Sequence, residues 1–218
     1  MIKNFALRNV AISLIFVNIA LFLVQMSFNG FTEAFLLNSS EILSRPYTLF
    51  TSMFLHASTN HLLFNMLVLF FMGPFLESRI GSKRFLIIYL VSGLVAAFSA
   101  LFFYERALGA SGAIMGIVAA LIILMPNLKV LLFFIIPMPL WMLGVLYVGV
   151  DVFGLFYPTN VANVAHLAGL ATGFLFGYDI KRRIKRTQVI IDKVRKKDKN
   201  DINLDDDEVN YMIGKGRF

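Results

Sequence analysis

The chain has 218 residues, 58% hydrophobic and only 15% charged, with a mean hydropathy of +0.76 and a formal net charge of +7. Counted with Gly and without Tyr, the apolar share is about 62%, against roughly 45–50% for a soluble domain, which excludes disorder and argues against an ordinary water-soluble fold. The absence of Cys excludes a disulfide framework and a thiolate metal site, and 20 of the 33 charged side chains crowd into residues 179–218, the pattern of a polytopic membrane protein with a polar tail.

Apolar runs bounded by charged or turn residues predict six spans, at about 10–26, 60–76, 84–103, 111–125, 130–150 and 162–178. The first run, Val10 to Met26, is longer than a signal-peptide core and no small-x-small site follows it, so a cleaved leader is not expected. With six spans, both termini share one side with the turns after spans 2 and 4. That side collects Lys3, Arg8, Arg79, Lys83, Arg84, Lys129 and the basic tail, leaving only Arg45 and Arg106 opposite. The termini are therefore expected in the cytoplasm. The run from Lys181 to Arg186 then reads as a stop signal against anionic lipid rather than a nucleic-acid site.

Polar side chains inside spans are costly and mark function by default. The three His of the chain qualify: His56 just before span 2, His61 near its start and His166 near the start of span 6; Asn65 and Ser111 join them. At 1.5 Å per residue, Ser111 lies roughly 24 Å above the cytoplasmic end of its span, His166 roughly 20 Å, and His61 and Asn65 roughly 24 and 18 Å. Three helices thus aim polar groups at one depth. Span 4, from Ser111 to Met125, covers only about 22 Å and is too short to cross, so its helix is expected to begin inside the protein after the Gly109-Ala110 turn. Ser111 then sits at a helix N-terminus, where free N–H groups and the dipole favour an anion. Gly112 and Gly116 in span 4 match Gly169 and Gly173 in span 6, small residues that let helices approach and carry His166 toward Ser111.

At these residues the chain resembles the rhomboid family of intramembrane serine proteases. The matching pieces are His56-Ala-Ser-Thr-Asn-His61-Leu-Leu-Phe-Asn65, Gly109-Ala110-Ser111-Gly112, and Ala165-His166-Leu-Ala-Gly169 with Gly173; Glu77-Ser78-Arg79 is similar to the family's cytoplasmic turn motif. The resemblance covers about residues 10–178. It implies an all-α membrane fold, a six-transmembrane-helix bundle with a short fourth helix starting inside the membrane. It also implies a serine endopeptidase in which Ser111 is the nucleophile and His166 the base. His61, Asn65 and the Ser111 N–H would hold the oxyanion, while His56, Gly109, Gly112 and Gly169 would be structural. Met115 stands where the family often has an aromatic ring, and Tyr47-Thr48 where many members carry Trp-Arg.

The chemistry agrees, since a hydroxyl needs an adjacent base and His is the usual one. No carboxylate lies in spans 2, 4 or 6, so a Ser–His–Asp triad is not expected; Asp151, at the mouth of span 5, reads as a helix-end or loop-anchoring residue. The segment Asp151–Asn160, with Gly154 and Pro158, is the natural movable cap over a cavity open to the outside. Span 5, with Pro137, Pro139 and Phe153, is the candidate gate facing Phe64. Substrates would be spans of other membrane proteins, entering sideways from the lipid bilayer. The competing readings are a catalytically inactive relative that binds membrane proteins for quality control, a metal site built from the three His, and a channel or transporter. The H-E-x-x-H motif of zinc proteases is absent from the sequence, and no metal or other cofactor is expected. Residues 1–178 are expected to form the catalytic domain and 179–218 a cytoplasmic tail, helical or disordered.

Overall fold

The structure, a computed structural model, describes residues 9–132, 135–157 and 161–201; Lys3, Arg8, Pro158, Asn160 and the acidic run from Asp205 to Glu208 lie outside the described residues. In chain order the elements are α1 Val10–Ser27, α2 Phe31–Phe35, β1 Leu37–Asn38, α3 Thr48–Thr51, α4 Thr59–Ile80, α5 Ser82–Ala100, β2 Arg106–Ala107, α6 Ser111–Leu124, β3 Lys129–Leu132, β4 Ile136–Pro139, α7 Leu140–Phe156 and α8 Asn163–Asp201. Helices α1, α4 and α5 are long and apolar enough to cross a membrane by length and composition, and α6 and α7 are apolar but shorter. Two compact units, Met1–Tyr178 and Asp179–Phe218, divide the chain.

Helix ends in the first unit are closed by side chains. Asn9 Oδ1 accepts from the Ile12 N–H at 3.3 Å, and Ser58 Oγ accepts from the His61 N–H at 3.2 Å to start α4. The buried Glu77 carboxylate, near the end of α4, accepts from the Val10 and Ala11 N–H groups, both at 2.9 Å, and from Ser82 Oγ at 2.5 Å. One acidic side chain thus satisfies two first-turn donors of α1 and complements that helix dipole. The turn from α4 to α5 is Gly81 alone, at φ +81°.

Helix α6 is the core: nine of its 14 residues are buried. Small residues make this burial possible on two sides. Facing α5, a Cβ added at Gly112 or Gly116 would collide with Ala96 or Ser92; facing α8, Gly169 and Gly173 lie against the Gly112 and Gly116 carbonyls, where no Cβ fits. Backbones approach this closely only where both partners lack side chains.

The segment between α1 and α4 is ordered by polar contacts. Gln25 Nε2 donates to the His56 carbonyl at 3.2 Å and Gln25 Oε1 accepts from the His56 N–H at 3.0 Å. Strand β1 pairs antiparallel with β2, Leu37 opposite Ala107 and Asn38 opposite Arg106, and Arg106 is paired with Glu33.

The span expected at 130–150 is not a single helix. Lys129–Leu132 and Ile136–Pro139 pair as an antiparallel hairpin, and the helix begins only at Leu140 and runs to Phe156. The reason is chemical: Pro137 and Pro139 have no N–H to give an α-helix, and each drives its predecessor to extended backbone. The first donors of α7 bond back to the preceding loop, Leu140 N–H to the Leu128 carbonyl at 2.8 Å and Trp141 N–H to that of Pro126 at 3.1 Å. In the second unit, the described residues are helical to Asp201, with Arg183 Nε donating to Asp179 Oδ2 at 2.8 Å.

Candidate active site

Ser111 opens α6. The backbone reaches it through Gly109, at φ +137°, a conformation L side chains rarely adopt, and the Gly109 N–H donates to the Ser52 carbonyl at 2.9 Å. The first intrahelical bond of α6 runs from the Ile114 N–H to the Ala110 carbonyl at 3.0 Å. The N–H groups of Ser111, Gly112 and Ala113 therefore precede the helical ladder and lie at the positive end of the helix dipole.

His166 stands on the first turn of α8, carried to α6 by the glycine contacts that follow it. Its Nε2 lies 2.8 Å from Ser111 Oγ. Ala165, its neighbour, is buried in the cluster with Leu37, Ala96, Ala97 and Ala100, and the Val164 N–H donates to the Tyr104 hydroxyl at 3.1 Å. The start of α8 is thus fixed by packing on one side and a hydrogen bond on the other.

The structure overturns the expectation that no carboxylate meets this histidine. Asp151 Oδ1 lies 3.0 Å from His166 Nδ1, with the two side chains 4% and 13% exposed. Asp151 is neither a helix-end nor a loop residue. Because the hairpin delays the start of α7, Asp151 falls inside that helix, one turn before Gly154, and Gly154 packs directly against the Asn163 side chain of α8. The sequence signal that would have found it is the rule applied to the histidines: an ionisable residue in an apolar helix needs a partner.

On α4, His61 and Asn65 are one turn apart and share a face. A Cβ placed on Gly109 would meet His61 Cε1 at 2.7 Å, His61 Nε2 at 3.0 Å and Ser111 Oγ at 3.6 Å. Gly109 therefore leaves the space in which the His61 ring and the Ser111 hydroxyl come near one another. Asn65 is buried, and its Nδ2 has no hydrogen-bond partner among the described residues.

His56 precedes α4 and lies beside His61. It is 2% exposed, its ring packs edge-on to that of His61 at 5.1 Å between centroids, and its backbone is held by Gln25. Burial, with His61 beside it as the lesser cause, pushes its imidazole down to about 3. Gly112 and Gly169 meet at the α6–α8 crossing just described. Phe64 and Phe153 are both largely exposed, the latter stacked on Tyr157 at 4.4 Å; Pro137 and Pro139 belong to the hairpin, outside α7. The segment expected as a movable cap is helical over its first six residues.

Residues 43–183 match the rhomboid domain. Among curated proteins, the chain is 28% identical over 191 residues to "RHOMBOID-like protein 12, mitochondrial" of Arabidopsis thaliana, covering 75% of this chain and 56% of that one. It is 27% identical over 191 residues to "Rhomboid protein 1, mitochondrial" of Saccharomyces cerevisiae, covering 82% and 55%. With "Rhomboid protease GluP" of Bacillus subtilis it shares 35% identity over 130 residues, 59% of this chain and 25% of that one. The chain thus spans between a quarter and just over half of the length of these relatives.

Proposed function

Starting from the fact that this chain belongs to the rhomboid family, we propose that it is an intramembrane serine endopeptidase that cleaves transmembrane segments of other membrane proteins. One observation carries the reading: a serine hydroxyl at the N-terminus of a buried helix, 2.8 Å from the ring nitrogen of a histidine on a neighbouring helix.

The chemistry follows from that pair. Ser111 Oγ attacks the scissile carbonyl carbon while its proton passes to His166 Nε2, which acts as general base. The oxygen of the tetrahedral intermediate becomes negative beside the Ser111 N–H and the donors of His61 and Asn65, at the positive end of the α6 dipole. Donors fixed in advance in a site of low dielectric stabilise such an oxygen without reorganising. His166 returns the proton to the leaving amine, and the acyl group on Ser111 is then released by a water from which His166 takes a proton in its turn.

We assign six crossing segments to α1, α4, α5, α6, α7 and the apolar first half of α8, with α6 too short to cross alone at about 21 Å. Both termini lie in the cytoplasm, by the distribution of Lys and Arg, and the site opens toward the opposite face. An intact helix hides its carbonyls in its own hydrogen bonds, so substrates are spans with helix-weakening residues that unwind as they enter from the lipid.

The test is incubation of the purified, lipid-reconstituted protein with a model single-pass substrate. Cleavage by the parent and none by Ser111→Ala or His166→Ala is expected; an intact substrate with the parent, or unchanged cleavage by Ser111→Ala, would overturn the reading.

A further inference from the structure

The dyad accounts for Ser111 and His166 but leaves a buried carboxylate unexplained. Asp151 is the acid of α7, 4% exposed, in a helix otherwise made of apolar residues, Gly and Tyr147. An isolated carboxylate in such a place is strongly disfavoured, and it persists where it is paired or hydrogen-bonded. Its partner here is the ring nitrogen of His166 that faces away from Ser111, at 3.0 Å.

We propose that Asp151 is a positioning residue of the site, fixing the tautomer and the plane of the His166 ring. The proposal rests on the protease reading above and adds a third member to the dyad. A carboxylate can only accept, so the proton of the neutral imidazole is drawn to Nδ1, which donates to Asp151 Oδ1. Nε2 is left with its lone pair toward Ser111 Oγ, the one arrangement in which it can receive the serine proton. When His166 takes that proton, both ring nitrogens are donors, and the carboxylate stabilises the imidazolium from the far side without itself being protonated.

The surroundings make the contact specific. Gly154 removes a side chain one turn after Asp151, and Asn163 fills that space from α8 one turn before His166. The pairs 151–166 and 154–163 are thus two rungs of one α7–α8 contact. A residue with a Cβ at 154 would meet Asn163 atoms at 2.6 and 2.7 Å and push the rungs apart. Among the described residues, Tyr147, one turn before Asp151 on α7, and His61 on α4 are titratable groups that interact with the pair. Neither occupies Nδ1.

The experiment reads the tautomer and the catalysis separately. The chain has three His, so protein labelled with 15N-histidine gives few imidazole signals, and His166→Ala identifies those of His166. The parent should show His166 protonated at Nδ1 at neutral pH, and Asp151→Asn should shift the tautomer toward Nε2–H, because its NH2 can donate to Nδ1 where the carboxylate could only accept. On a model substrate, Asp151→Asn should lower kcat by about 100-fold or more, with KM changed little, while Asp151→Glu, which keeps the acceptor, should recover part of the loss. A parent His166 protonated at Nε2 would overturn the proposal. So would cleavage by Asp151→Asn within threefold of the parent, and either result would leave the dyad standing. A parent that shows the Nδ1 tautomer yet cleaves nothing would instead overturn the protease reading.

Discussion

Gly169 of α8 lies so close to the Gly112 carbonyl of α6 that a single added carbon would collide with it. This crossing determines whether His166, three residues earlier, reaches Ser111, one residue before Gly112. Structure and chemistry meet at the same point: the glycines that permit the helices to pack are the ones that bring base and nucleophile within hydrogen-bond distance.

A substitution at that crossing should therefore cost both stability and cleavage. Gly169→Val should destabilise by roughly 1–3 kcal/mol, the usual penalty of overpacking, and should reduce cleavage of a model substrate more than tenfold. Gly149 is the control, because a Cβ there meets nothing within 4 Å; Gly149→Ala should leave both within error or raise stability slightly. Melting midpoints in detergent beside cleavage rates separate the two outcomes, and equal behaviour of the two variants would contradict the account.

Glu77 should behave as a structural acid. Its carboxylate accepts from two N–H groups at the start of α1 and from Ser82 Oγ, so Glu77→Ala strands buried donors at a cost of about 1–3 kcal/mol. Glu77→Gln keeps one acceptor oxygen and should lose less. Thermal unfolding of the three proteins is the check, and indistinguishable midpoints would remove Glu77 from the description of the α1 start.

Acid should destabilise the fold through His56. Its imidazole titrates near 6.5 when unfolded and is pushed down to about 3 by burial in the folded chain. Between those values the unfolded state binds the extra proton, so stability falls as pH falls, beginning below about 6.5 and complete near 3. The midpoint should drop from pH 7 to pH 4.5 in the parent and drop less in His56→Phe. Identical slopes would show that His56 does not carry the effect.

The oxyanion donors should act on rate rather than on binding. Asn65→Ala and His61→Ala should each lower kcat by about 10²–10³-fold, the usual loss of one donor, with KM nearly unchanged. Steady-state kinetics on a soluble reporter of the cleaved segment decides, and a rise in KM with kcat intact would reassign these residues to substrate binding.

Much of the site was legible because its residues break a rule. His61, Asn65, Ser111 and His166 are polar where the surroundings are apolar, and their common depth follows from helical rise alone. The boundaries of α1, α4, α5 and α6 fall within a few residues of the apolar runs because Asn9, Ser58, Gly81 and Pro126 punctuate them. The run 130–150 is ambiguous, because apolar residues fill strand and helix alike and periodicity cannot tell them apart. A helix drawn across Pro137 and Pro139 ends too early, leaves Asp151 at its mouth and hides the carboxylate that faces His166. The bond from Glu77 to the start of α1 was equally out of reach, since its partners are backbone donors 66 and 67 residues away.

The most direct measurement is covalent labelling of the lipid-reconstituted protein with a fluorophosphonate, with the modified residue located by mass spectrometry. Labelling on Ser111 in the parent, abolished in Ser111→Ala and strongly reduced in His166→Ala, is the result expected of a hydroxyl activated by its neighbouring imidazole. A parent that stays unlabelled in lipid, or one labelled at another serine and indifferent to loss of His166, would contradict the central claim.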